Sequence, residues 1–155
     1  MAGVLLHATS GEVTLAAATA KTTLQLKAAA NQRVLVSAIS LLGKAAAGGT
    51  DTPVKARITR STTAFGTAGT GANAAVVSKN DPSDSEAIQT TAGGNFTAEP
   101  TSADAGIWYE FNPQSGLVIQ FAPGKEWKIP GGQSLQIELT SVATPTIVTD
   151  MDFEE

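Results

Sequence analysis

The stretch Val54-Lys55-Ala56-Arg57-Ile58-Thr59-Arg60 alternates apolar with polar side chains. A β-strand turns successive side chains to opposite faces. Val54, Ala56 and Ile58 therefore share a buried face, and Lys55, Arg57 and Thr59 share an exposed one. The same period of two recurs along the chain. Leu24 and Leu26 alternate with Thr23, Gln25 and Lys27, and Leu135, Ile137 and Leu139 alternate with Gln136, Glu138 and Thr140. Ile147, Met151 and Phe153 share one face while Asp150 and Asp152 share the other. Leu117 to Phe121 reads as a further strand. Arg33 to Leu42 is nearly continuously apolar, the pattern of a central strand covered on both sides.

Turn residues separate these runs: Ser10-Gly11, Gly48-Gly49, Asn80-Asp81-Pro82, Gly93-Gly94, Asn112-Pro113, Ser115-Gly116, Pro123-Gly124 and Pro130-Gly131-Gly132. Many short strands punctuated in this way predict an all-β sandwich or barrel. Ala16 to Ala20 and Ala28 to Ala30 have helical propensity but are too short to form helices and lack an apolar stripe; they read as strand ends and turns. Residues 61 to 106 differ in kind. They are rich in Gly, Thr, Ala, Ser and Asn, and only Ala74-Ala75-Val76-Val77 and Ala87-Ile88-Gln89-Thr90 look like strands. A connection of this length inside a compact domain is usually functional or mobile. The expected organisation is one domain over 1–155, with an N-terminal arm at 1–10 and a long, low-complexity excursion at 61–106.

Composition narrows the function. The chain has 155 residues, no cysteine and a formal net charge of −4. A chain of this length buries about 70% of its unfolded surface and sustains a core without cross-links. Lack of cysteine removes disulfides, thiolate nucleophiles and the commonest zinc sites. The acidic balance argues against wrapping duplex nucleic acid. No segment approaches the length of an apolar membrane span, and Val4-Leu5-Leu6 is too short for a signal peptide core. Only 15% of residues are charged, while the chain carries 26 Ala, 20 Thr and 11 Ser. Such a surface is flat and weakly hydrated, which suits a component of an assembly.

No catalytic, cofactor-binding or metal-ligating residue is predicted. His7 is the single histidine and reads as an ordinary surface or packing residue. Asp81-Pro82-Ser83-Asp84-Ser85-Glu86 is rich in oxygen but lacks the spacing and the Gly of a calcium loop, and reads as a solvated turn. Gly66-Thr67-Ala68-Gly69-Thr70-Gly71 lacks the Lys-Ser/Thr of a phosphate-binding loop. Trp108, Tyr109 and Trp127 read first as core or interface anchors and only then as a sugar-stacking platform. Lys55, Arg57 and Arg60 form a basic stripe, facing solvent or an acidic neighbour such as the C-terminus of a second copy. The N-terminal segment, with Val4, Leu5, Leu6 and His7, and the excursion, with Phe65 and Phe96, are expected to make most contacts outside the monomer.

Several segments in order resemble the small decoration, or cement, proteins that coat the heads of tailed double-stranded DNA bacteriophages. They are Ala8 to Val13, Ala18 to Leu26, Ala30-Asn31-Gln32-Arg33-Val34, Asn112-Pro113-Gln114-Ser115-Gly116, Pro130-Gly131-Gly132 before Leu135 to Leu139, and the closing Phe153-Glu154-Glu155. The resemblance covers most of the chain outside 61–106. It implies a jelly-roll-like antiparallel β-sandwich and a homotrimer bound to the major capsid protein on the outside of a phage head. It also implies no catalysis, no cofactor, and neither a nucleic-acid nor a membrane partner. The alternative expectation is a carbohydrate-binding β-sandwich module of a tail or adhesin protein, which needs Trp108 and Trp127 exposed on one plane.

Overall fold

A computed structural model describes residues 3–44, 52–61, 65–67 and 74–155. Eleven strands form two antiparallel sheets: β1 (Leu5–Thr14), β2 (Lys21–Lys27), β3 (Val34–Lys44), β4 (Val54–Ser61), β5 (Val76–Lys79), β6 (Thr91–Gly94), β7 (Ile107–Phe111), β8 (Leu117–Gln120), β9 (Trp127–Ile129), β10 (Ser134–Ser141) and β11 (Thr146–Glu154). Sheet A runs β5-β1-β11-β3-β8, with β9 also paired to β3, and sheet B runs β6-β2-β10-β4-β7. β1 to β4 alternate between the sheets, and the returning strands slot between or beside them, which is a jelly-roll winding. There is no helix among the described residues.

The apolar faces read from the sequence meet between the sheets. Leu24, Leu26, Ala56, Ile58, Leu135, Ile137 and Leu139 of sheet B pack against Ile39, Leu41, Ile147, Met151 and Phe153 of sheet A, all essentially without exposure. Two irregularities place polar groups in this layer. The β1–β11 register shifts between Thr9 and Glu12, and the β10–β2 register shifts at Thr23. Ser10 Oγ then accepts from the Thr149 amide at 3.0 Å, and the Thr23 and Thr149 hydroxyls meet at 2.7 Å across the sandwich. Each buried polar atom in this bridge has a partner, which removes most of its desolvation cost.

Several expectations need correction. The described residues of 1–10, from Gly3 on, are not an arm: β1 lies inside sheet A between β5 and β11, with Val4, Leu6 and Ala8 in the core. The doublet Leu5-Leu6 and the small residues after it disguise the alternation. Nor do the described residues of 61–106 leave the sandwich. They supply an edge strand to each sheet, β5 beside β1 and β6 beside β2. β6 lies at Thr91–Gly94 and not at Ala87–Thr90, because the amides of Gln89 and Thr90 donate to the Glu155 carboxylate instead. β3 is central in its sheet but covered on one face only, so Ser37 and Leu42 are exposed. β2 is buried on both faces, with Thr22 through Leu26 all inaccessible, as is the first half of β10.

The cover over β2 is the excursion itself. Among the described residues, Phe65 and Gly66, before β5 and β6, and Phe96 to Asp104, after them, lie against the outer face of sheet B. Hydrogen bonds tie this lid down. The Gly66 amide donates to Gln25 Oε1, and Gln136 Nε2 donates to Ser102 Oγ. The Thr22 amide donates to Glu99, the Thr59 hydroxyl donates to the Asp104 carboxylate, and Lys21 Nζ reaches the Phe96 carbonyl. The Phe96 ring lies against Gly66 and Gly93, where a Cβ would approach it within 2.5 and 3.1 Å. At the lid's exit, Gly106 has φ +68° and lies so close to Ile58 O that a Cβ would sit 2.5 Å from it. The glycine lets the chain turn against β4 into β7.

Candidate interaction surface

The lid covers the outer face of sheet B over β2 and much of β10 and β4 but leaves Lys55, Trp108 and Glu110 exposed at its β7 edge, so the outer face of sheet A is the more open of the two. Two rows of side chains cross it from edge to edge. The strand registers align Val76, Thr9, Asp150, Ser40 and Val118 in one row, and Ser78, His7, Asp152, Ala38 and Gln120 in the next. The side chains are short, so the face is flat. Leu5, Val76 and Val118 are 57, 56 and 58% exposed, and Leu42 is nearly as open. Four of the seven large apolar side chains exposed among the described residues thus stand on this face.

Each of these four belongs to an apolar doublet or triplet: Leu5-Leu6, Leu41-Leu42, Val76-Val77 and Leu117-Val118-Ile119. In a strand, adjacent residues cannot both face the core. One member of each pair must therefore point out, and that is the signal by which sequence reading could have found Leu42, Val76 and Val118. Of the predicted contact residues, Leu5 and His7 lie on the open face. Val4 and Leu6 are core residues and unavailable to a partner.

His7 sits at the middle of the face between two carboxylates. Its Nδ1 is 2.8 Å from Asp152 Oδ1, and its Nε2 is 3.8 Å from Asp150 Oδ1. The remaining C-terminal acids are engaged within the chain. Glu154 accepts from the Gly3 amide, and Glu155 accepts from Gln89 and Thr90. Asp81 accepts from the amide and hydroxyl of Ser83, which hold its carboxyl below the usual range; Asp84 caps the Glu86 amide. These bonds close a turn. The glycine-rich loop expected at 66–71 lies mostly outside the described residues, as does Gly48-Gly49.

Lys55, Arg57 and Arg60 do not form one stripe. Lys55 and Arg57 point outward from sheet B. Arg60, paired opposite Leu135, points to the inner side. Arg57 is satisfied by Glu138 at 3.5 Å, by the carbonyls of Asp104 and Ala105, and by the Trp108 ring 5.5 Å away. Arg60 donates to Lys128 O and stacks on Trp127 at 5.9 Å. The two tryptophans therefore belong to different places. Trp108 stands outward on the edge strand of sheet B, exposed. Trp127 turns inward from β9 opposite Val36, half-buried, and meets Phe121 edge-on. They offer no common plane for a sugar. Phe65 is half-buried and packs edge-on against Phe96. It also lines a 500 Å³ groove with Lys27 and Ala28 to Ala30. Phe96 is buried under the lid and is not a contact residue.

Between the edges of the two sheets runs a second groove of 430 Å³, lined by Arg60, Ile107, Phe121, Lys125, Glu126, Trp127 and Lys128. Sequence reading missed Ile107, Phe121, Lys125 and Lys128, because their proximity depends on the β7-to-β8 crossover from one sheet to the other. Compared with known proteins, the chain matches no family model, no curated protein and no solved structure.

Proposed function

We propose that this chain is a structural virion protein that binds the outer surface of a tailed-phage head as a homotrimer and stabilises its lattice through contacts with the major capsid protein. The observation that carries the reading is the contrast between the two outer faces: sheet B is covered over β2, β10 and part of β4 by its own chain, while sheet A presents Leu5, Leu42, Val76 and Val118 among small side chains. The four stand apart among short polar side chains and make no continuous apolar patch, so the support they give is their shared placement on one open face. The ordered resemblance of the segments outside 61–106 to phage decoration proteins, and the jelly-roll winding, support the same reading.

The mechanism is binding without chemistry. A stable interface takes about 800 Å² from each partner, and a five-strand face with a flat surface is a plausible source of it in area and shape. One subunit gripping weakly gains about 10²- to 10⁴-fold in avidity when three copies engage together. Bridging neighbouring shell subunits then opposes the outward pressure of packaged DNA. The test is co-sedimentation with heads of the phage that encodes the chain, alongside light scattering of the free protein. The expected outcome is saturable binding that falls at least about tenfold when Val76 and Val118 are both changed to Lys. Wild-type protein that fails to bind the heads would refute the proposal.

A further inference from the structure

The free edge of β7 lies away from the open face of sheet A, and what it can bind does not depend on the capsid reading. Four positions close the sheets: β5, β6, β7, and β8 with β9. β6 is only four residues long and half of it is glycine, so it offers an added strand few side chains to pack against. β5 runs into the turn in which Lys79 Nζ donates to Asp84 O. β7 is the longest of these edge strands, carries neither Pro nor Lys, and leaves Ile107 and Trp108 exposed. These are the features that natural edges normally avoid.

β7 is also flanked by a groove on each of its faces. On the outer side, Lys55, Trp108, Tyr109 and Glu110 line a recess of 320 Å³. On the inner side lies the 430 Å³ groove of Ile107, Phe121 and Trp127, with Arg60, Lys125 and Lys128 as its cations against the one acid Glu126. An added strand sits about 4.8 Å from β7 and sends alternate side chains to opposite faces. One set would enter the aromatic and basic groove, and the other would lie over the Trp108 recess.

From this we infer that β7 is a docking edge for an extended peptide strand of a partner protein, with acidic side chains at every second position and apolar ones between. Main-chain hydrogen bonds along β7 supply affinity, and the two grooves select the alternating pattern. The acids meet Lys125 and Lys128 while the apolar residues cover Trp108.

The test uses the full chain and a short capped peptide alternating Glu with Val, with a Lys and Val peptide as its counterpart. Amide NMR shifts and tryptophan fluorescence report binding. The expected result is saturable shifts at Ile107 to Phe111 with a Kd between about 10 μM and 1 mM. The doubly reversed Lys125→Glu, Lys128→Glu variant should bind the Glu peptide at least about tenfold more weakly and gain affinity for the Lys peptide. Both lysines are exposed, so the fold does not depend on them. Three results would overturn the inference: no shift at Ile107 to Phe111 up to about 1 mM peptide, equal binding of the two peptides, or shifts confined to β5, β6 or β8.

Discussion

On the outer face of sheet B, Gln25, Thr59 and Gln136 have no accessible surface; on the outer face of sheet A, Val76 and Val118 are more than half exposed. The polar face is the covered one, and the face with apolar side chains is the open one. A polar face can be buried where a second layer satisfies most of its hydrogen bonds, and here Gly66, Glu99, Ser102 and Asp104 of the lid do so, leaving Thr22 Oγ1 and Gln136 Oε1 without a partner. The apolar side chains of the open face need no such matching, and nothing in the chain covers them. The lid therefore belongs to the fold, and the open face is available for function.

The most damaging way to break this contrast is to remove the lid's anchor. Phe96→Ala should cost about 3 kcal/mol in urea unfolding, since it empties the space between Gly66, Gly93 and Phe65. A cost below about 1 kcal/mol would mean that the lid is not part of the cooperative fold. Next comes Gln25→Leu, which leaves the Gly66 amide without its acceptor under the lid; a loss of about 2 kcal/mol is expected.

Asp104 sharpens the comparison through pH. The Thr59 hydroxyl, and after it the Arg60 amide, hold its carboxyl below the ordinary 3.8. A folded-state value below the unfolded one stabilises the protein at neutral pH. That contribution fades as pH falls past 3.8 toward the depressed value. Asp104→Asn should therefore lower stability by about 1 kcal/mol at pH 7 and by less in acid, so the wild-type and variant curves converge as pH drops. Parallel curves would show that the Thr59 bond does not favour the ionised form. The smallest effect is expected on the open face. Leu5→Ser, Val76→Thr and Val118→Thr should each change stability by no more than about 0.5 kcal/mol, because nothing in the monomer covers them.

The sandwich was legible in the sequence because period two survives wherever one face is buried, as in Val54 to Thr59 and Leu135 to Thr140. β1 was hidden because Leu5-Leu6 breaks the alternation and Thr9-Ser10-Gly11 carries a bulge. The lid was hidden for a different reason. Gln25, Thr59 and Gln136 read as solvent-facing by polarity, and only the hydrogen bonds to Gly66, Asp104 and Ser102 reveal that they are buried. Of the interaction residues, Leu5, His7 and Trp108 were found in exposed or half-exposed places, whereas Leu6 and Phe96 proved to be core. Hydrophobicity alone does not distinguish a contact from a core position. The apolar doublets in strands do, because one member has no inward place to go.

The chain has no cysteine, so one introduced thiol reports on one place. The decisive measurement is maleimide labelling of a Val118→Cys variant, free and bound to phage heads, with Ala105→Cys on the lid side as reference. The account predicts that the Val118→Cys thiol reacts readily in free protein and is protected on the particle, while the Ala105→Cys thiol stays reactive in both. Equal labelling of Val118→Cys in the free and bound states would contradict it.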